Sequence, residues 1–269
     1  MNFLVVGLGM LGQDLVEELK NSNNHVESIT YPEIDITRGV SILDSFEFDI
    51  LINCAAYTNV DGAETNKKEC DLINFTGVKT LTDYCKIKNK LFLTISTDYV
   101  FSGEEKNYDE TAMRHPINYY GLSKAKGEEY VENNIKKYYI VRTSWLFGHK
   151  GPNFVKTMIR LGSENEKLKI ISDQVGCPTY TRDLAKSIID LCVSKKEYGI
   201  YHITNSNTCS WHEFAEEILK NSDCILVPCS TGEYPLLAKR PKFSVLNNTK
   251  LNDLRNWKDA LNAYKEEQR

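Results

Sequence analysis

The 269-residue sequence predicts an α/β fold: a doubly wound parallel sheet of Rossmann-like form with a smaller C-terminal substrate-binding lobe. Three observations predict it. Short apolar runs alternate with segments of helical periodicity, a pattern that parallel strands joined by helical crossovers satisfy most economically. The first run, Asn2 to Val6, ends in Gly7-Leu8-Gly9-Met10-Leu11-Gly12 and continues with Leu11, Leu15, Val16 and Leu19 at helical spacing. From Phe147 onward the elements become shorter and richer in aromatics and prolines, as in a lobe that closes over a substrate.

Each element follows from local signals. A glycine turn between strand and helix lets a dinucleotide diphosphate approach the backbone at a helix N-terminus, where unpaired N–H groups and a partial positive charge favour anions. The same turn could also serve only to pack helix on strand. A second strand is expected at His25 to Thr30. Its end, where an acid commonly holds the adenosine ribose, carries Thr30 and Tyr31, while Asp35 comes slightly late and no arginine is present. NADH and NADPH therefore both remain open. Asp49 to Cys54 reads as a buried third strand, and Ala55-Ala56-Tyr57-Thr58 places small residues where a flat cofactor could approach.

Cys70, Ile73, Asn74, Gly77, Val78, Leu81 and Cys85 mark one face of a long helix before a fourth strand, Leu91 to Ile95. Ser96-Thr97-Asp98-Tyr99-Val100-Phe101 then stands at that strand's carboxyl end, the side on which open α/β sheets bind ligands. A polar loop leads to Asn118, a predicted N-cap, and Tyr139 to Val141 forms a fifth strand running into Arg142-Thr143-Ser144-Trp145. Beyond it, Gly162 to Glu166 reads as a polar connector and Leu168 to Ile171 as a strand returning to the main sheet. Thr181 to Cys192 reads as a helix with Leu184, Ile188, Leu191 and Cys192 inward. Trp211 to Leu219 is amphipathic and expected over the substrate opening, with Trp211 itself more at home in core. A final helix from Asn252 to Lys265 presents Leu254, Trp257, Leu261 and Tyr264 on one stripe. The expected cofactor domain is residues 1–146 with a return at about 168–203, and the substrate lobe is about 147–167 and 204–269.

Composition narrows the function classes. With 41% apolar residues, 26% charged residues and a net charge of -4, the chain is of ordinary soluble globular type. No basic patch suits a nucleic acid, and no apolar run approaches the eighteen or so residues that span a bilayer. A cytoplasmic protein is expected. The eight cysteines include no CxxC and read as reduced core thiols, and the five histidines lack zinc-site spacing, so no metal site is expected.

Tyr120 and Lys124 lie four apart on the helix that Asn118 opens, which sets an ammonium beside a phenol on one face. A phenol with its ordinary pKa of about 10 works near neutrality only if lowered by about three units, and a nearby cation with a helix dipole favours that. Tyr84 and Lys88 share the spacing, so it decides nothing alone. Tyr84 belongs to the helix leading into the fourth strand, at the opposite edge from the site.

Longer motifs decide more. NCAAYTNVDGAE (Asn53 to Glu64), STDYVF (Ser96 to Phe101), YGLSK (Tyr120 to Lys124), RTSW (Arg142 to Trp145) and SDQVGCPT (Ser172 to Thr179) resemble the extended short-chain dehydrogenase/reductase superfamily, most closely its dTDP-4-dehydrorhamnose reductase family. GIYHITN (Gly199 to Asn205), SWHEFA (Ser210 to Ala215) and Arg240-Pro241 extend the resemblance over nearly the whole chain. One departure is the glycine turn, GxGxxG where that family usually has GxxGxxG.

The resemblance implies a catalytic set of Thr97, Tyr120 and Lys124. It implies cofactor contacts along Gly7, Gly9, Met10, Leu11, Gly12, Ala56, Tyr57 and Thr58, with Asp35 and Ile36 near the adenine and Tyr120 and Lys124 at the nicotinamide end. Thr97, Asp98 and Trp145 would contact a sugar nucleotide. Arg240 either meets its diphosphate or belongs to a solvated loop. The implied reaction is NADPH- or NADH-dependent reduction of a 4-keto-6-deoxy sugar nucleotide for dTDP-rhamnose and polysaccharide biosynthesis. Magnesium enters by resemblance only. Expected partners are that substrate and a second copy of the chain, without nucleic acid or membrane. Dehydration or epimerisation on the same fold is one alternative, although Tyr99 stands where dehydratases carry a glutamate. A non-catalytic subunit resembling the beta subunit of methionine adenosyltransferase is another.

Overall fold

The computed structural model describes residues 1–267. Five strands carry the first half: β1 (Asn2–Val6), β2 (His25–Ile29), β3 (Ile50–Asn53), β4 (Leu91–Thr97) and β5 (Tyr138–Thr143). Every pairing is parallel, and the Gly199–His202 strand adds beyond β5, giving the order Gly199–His202, β5, β4, β3, β1, β2. The expected doubly wound α/β sheet is present. Its order reverses between β1 and β3, so a crevice opens there beyond the strand ends.

The strands are nearly continuous apolar runs because both faces are covered. Phe3 and Val5 pack with Leu11, Leu15 and Leu19 of α1 (Met10–Lys20) and with Leu184 and Ile188 of the Thr181–Val193 helix. Leu4 and Val6 face the other way, onto Val78, Leu81, Cys85 and Val131. The helix expected through Cys70 and Cys85 is a composite: Lys67–Asp71 is α-helical, Leu72–Gly77 widens into a π turn, and Val78–Ile87 resumes the α form.

The lobe differs from expectation at three places. Lys167–Ile171 does not return to the main sheet but pairs in parallel with Ile225–Cys229 in a separate ribbon. The return is made by Gly199–His202, whose register on β5 leaves Tyr201 and His202 buried. The connector at Gly162 is instead the end of the Phe154–Glu164 helix, and Gly162 is there because a Cβ would stand 2.8 Å from a Leu219 methyl. The last helix begins at Trp257, capped by Asn256. Leu254–Asn256 before it is a strand against Asn205–Ser206, so Leu254 packs on the sheet core rather than on the stripe. Phe147, Val155, Tyr180, Phe214, Trp257 and Tyr264 form the lobe's own core. No described helix is long and apolar enough to cross a membrane. All eight cysteines are free thiols, six of them buried.

Candidate active site

A cavity of about 1100 Å³ runs along the carboxyl ends of the strands. One end is lined by the glycine turn and by Thr30, Tyr31 and Ile34 to Thr37; the other by Ser96 to Asp98, Tyr120, Lys124 and Thr143 to Leu146. The glycine turn fits a dinucleotide on steric grounds. Gly7 has φ +93°, and a Cβ there would stand 2.6 Å from the Ala55 nitrogen. Gly9 caps α1 with nothing within 4 Å of its Cβ position, leaving the helix N-terminus open to an anion.

Thr97 is the last residue of β4, buried, and its hydroxyl donates to Asp98 Oδ1 at 2.9 Å while accepting from the Tyr99 N–H at 3.2 Å. Tyr120 is the second residue of the Tyr119–Asn134 helix, whose Asn118 cap accepts from the Gly121 N–H at 2.8 Å. Gly121 is obligatory because a Cβ would run into the Tyr99 carbonyl. The helix start is thereby seated directly on the Thr97-Asp98-Tyr99 segment, and the Tyr120 phenol shares a hydrogen bond with the Thr97 hydroxyl.

The electrostatics correct one expectation. Burial pushes the Tyr120 phenol above its ordinary value, against the opposing Thr97 hydrogen bond and with a further push from Asp98. Lys124 does not lower it; its ammonium donates to the Ile95 carbonyl at 2.6 Å, and burial brings its own pKa down to about 8. Tyr120 is thus held as a protonated phenol, which is the form a proton donor needs. Burial also raises Asp98 to about 7, opposed by the Ser244 and Thr97 hydroxyls.

Beneath Lys124 lies a buried ion cluster that sequence reasoning missed. Glu128, one turn further along the helix, accepts from Arg142 Nε at 3.0 Å and Nη2 at 2.6 Å, and Arg114 bridges Glu128 and Glu132. His202 accepts at Nε2 from Arg142 Nη1 (3.3 Å), donates from Nδ1 to the Asn247 carbonyl, and is kept neutral by burial and by Arg142, with its pKa near 4. A lone arginine within the apolar run of β5 was the available signal, since a buried charge requires a partner. Asn74, in the π turn, was likewise read only as a helix-face position. Its amide accepts from Tyr57 N–H (2.8 Å) and donates to the Tyr57 carbonyl and to Ser123 Oγ. It fastens the Ala55–Thr58 segment to the helix of Tyr120.

Most of the sequence-predicted residues meet at the cavity. Gly7, Gly9, Met10, Leu11, Gly12, Asp35, Ile36, Ala56, Thr58, Thr97, Asp98, Tyr120, Lys124 and Trp145 line it. Tyr57 and Arg240 are not in the lining. Arg240 is ion-paired with Asp61 at 2.6 Å and also donates to the Ala238 carbonyl. Tyr84 and Lys88 are spent on Asp44, outside the cavity. Ser96 lines it as its place at the strand end predicts, and Cys54, Ser144, Gly151 and Pro152 line it unforeseen. Among the described residues no group of three or more His, Cys, Asp or Glu could hold a metal, so the magnesium that resemblance allowed finds no support. Glu17, Glu18 and Glu267, outside the cavity lining, surround the Arg182 guanidinium.

A parallel sheet with a glycine turn at its switch point and a Thr, Tyr and Lys set at the strand ends defines the short-chain dehydrogenase/reductase class. Within it, the RmlD substrate binding domain model matches residues 1–269, and the chain belongs to that family. It is 39% identical to dTDP-4-dehydrorhamnose reductase of Aggregatibacter actinomycetemcomitans, covering 92% of this chain and 91% of that one. It is 38% identical to the spore coat polysaccharide biosynthesis protein SpsK of Bacillus subtilis, covering 98% and 96%. The solved dTDP-4-dehydrorhamnose reductase of Bacillus anthracis in complex with NADP superposes with a TM-score of 0.94 at 37% identity, covering 99% of both chains.

Proposed function

We propose that this protein is a reductase of 4-keto-6-deoxy sugar nucleotides, converting dTDP-4-dehydro-L-rhamnose to dTDP-L-rhamnose for cell-surface polysaccharide. The observation that carries this reading is the meeting of Thr97, protonated Tyr120 and Lys124 at the end of a cleft whose other end is an open glycine turn. NADPH or NADH supplies the hydride. Gly9, Met10 and Leu11 would receive the diphosphate at the N-terminus of α1, Ala56 and Thr58 would flank the cofactor, and Asp35 and Ile36 would meet the adenine. Residues 1–146 and the return through Gly199–His202 hold that cofactor, and the lobe of about 147–167 and 204–269, now with Lys167–Ile171, holds the sugar nucleotide.

The chain's own residues then manage the charge that develops on the ketone oxygen. Tyr120 gives it a proton, and the phenolate left behind is stabilised by the helix N-terminus, while Lys124, anchored on the Ile95 carbonyl, would hold the nicotinamide ribose. Thr97 donates a hydrogen bond to the developing alkoxide by turning its single O–H proton from Asp98, which as the protonated acid can donate to the Thr97 oxygen in return. Asp98 and Trp145 would contact the sugar. Arg240 would reach the diphosphate only by leaving Asp61.

The test is turnover of a panel of 4-keto sugar nucleotides with each nicotinamide cofactor in stoichiometric amount. Net oxidation of the cofactor with a 4-hydroxy sugar as product is expected. Product formation without net oxidation would assign the chain to dehydration or epimerisation instead.

A further inference from the structure

We propose that Trp211 and Gly176, neither of which lines the cleft, are positioning residues that hold the Trp145 indole in the orientation the sugar nucleotide meets. The inference rests on the reductase reading and deepens it.

Trp145 is unusual in three independent respects. Its φ is +48°, and of the four described non-glycine residues with positive φ it is the one that is not exposed, the others being Asn89, Lys195 and Asn207. A bulky side chain adopts that conformation only where its surroundings enforce it. Its indole Nε1 is buried without a hydrogen-bond partner although the residue lines the cavity. A buried donor left unpaired costs stability, so the site awaits an acceptor such as a sugar hydroxyl or carbonyl oxygen. Its ring lies face to face with Trp211, centroids 3.5 Å apart and planes within 6°. Free aromatic pairs prefer offset or edge-on arrangements, so this geometry too is imposed.

What imposes it can be read from the neighbouring elements. A Cβ on Gly176 would lie 2.5 Å from Trp145 Cε2 and 2.7 Å from Nε1, so the glycine backbone abuts the ring edge that carries the donor. Cys209 pairs with Gly176 and Ser210 with Val175 across a short antiparallel ladder. Ser210 in turn caps the helix that begins at Trp211, its hydroxyl and Glu213 forming a reciprocal box. The two jaws are therefore parts of one rigid unit, backed by Phe154 at 4.5 Å from Trp211. The Trp145 carbonyl is fixed as well, accepting from the Thr179 N–H. Indole, jaws and cap form a preorganised wall, and its cost is met in folding rather than on binding.

Positioning of this kind should act on the sugar nucleotide and spare the nicotinamide cofactor. Trp211→Ala is expected to raise KM for the 4-keto sugar nucleotide, and Kd for the unreactive 4-hydroxy product by calorimetry, roughly tenfold, the size of one lost aromatic pair. NADH affinity should remain within about twofold of wild type. Trp211→Phe should restore most of the loss, and Gly176→Ala, which pushes the indole from its seat, should reproduce it. Unchanged KM and Kd in both Trp211→Ala and Gly176→Ala, at wild-type melting temperature, overturns the proposal. So does a parallel loss of sugar-nucleotide and NADH affinity, which would mark a merely structural role. If the wild type binds the product but does not reduce its keto form, the reductase reading fails and the calorimetric comparison still judges the clamp. If the wild type binds no sugar nucleotide, both fall.

Discussion

The two walls of the cleft are built from opposite materials. On the sheet side, β4, β5 and the Tyr119–Asn134 helix bury Asp98, Lys124, Glu128 and Arg142, each no more than 5% exposed. On the lobe side, Trp145, Trp211, Phe154, Phe214 and Trp257 pack ring against ring, face to face in Trp145–Trp211 and edge-on in Phe214–Trp257. Buried charge fixes protonation states, because each desolvated group must either find a counterion or shift its pKa. Packed rings fix shape and leave protonation alone. The lesson is a division of labour: proton transfer is expected from the first wall and substrate discrimination from the second.

The sharpest way to break that division is Tyr120→Phe. It should lower kcat by roughly 10²- to 10⁴-fold, the usual contribution of a positioned acid, with cofactor Kd nearly unchanged by fluorescence titration. Retained turnover would move the chemistry elsewhere. Next, Arg142→Met leaves the buried Glu128 with the Arg114 guanidinium alone and should cost about 3 kcal/mol in denaturant unfolding, the low end for breaking a buried pair. Pairing it with Glu128→Gln should recover part of that loss; no recovery would mean that the arginine matters for packing alone.

Asp98→Asn should have a smaller effect and the opposite sign. Burial raises the folded pKa of Asp98 to about 7, above the ordinary carboxylate value of 3.8, so the folded state binds the proton more tightly than the unfolded state does. Its stabilising share is complete at acid pH and is lost as pH rises from about 4 through 7. The substitution should therefore raise stability at pH 8 by about 1–3 kcal/mol, flatten the pH dependence between 5 and 8, and reduce activity. A variant less stable than wild type at pH 8 would contradict this. On the lobe side, Phe214→Leu should cost only about 1–1.5 kcal/mol, equally at pH 6 and pH 8. A pH-dependent loss there would blur the contrast between the two walls.

The parts of this design that could be read from the sequence are those whose signals are local. The glycine turn follows its strand directly, Asn118 caps the helix on which Tyr120 and Lys124 sit, and the apolar strand runs alternate with helical spacing. What could not be read depends on distant pairings. Nothing near Lys167–Ile171 specifies that its partner is Ile225–Cys229 rather than the main sheet, since a short apolar run suits either. Arg240 looks free in its own basic tetrapeptide and is engaged by Asp61, far earlier in the chain. The phenol's raised pKa depends on how deeply the folded chain buries it, which residue spacing does not encode.

The π turn at Leu72–Gly77 has a consequence for how the chain tolerates change. Its surplus residue is absorbed in one wide turn, with Asn74 aimed at Tyr57 beyond a strand end and at Ser123 on the neighbouring helix at once. Deleting any one residue there would restore uniform winding with the flanking turns still in phase, but would remove the wide turn that aims Asn74. Segment 55–58 and the start of the Tyr119–Asn134 helix would lose their common tether together, so a lesion remote from the chemistry would strike both ends of the cleft.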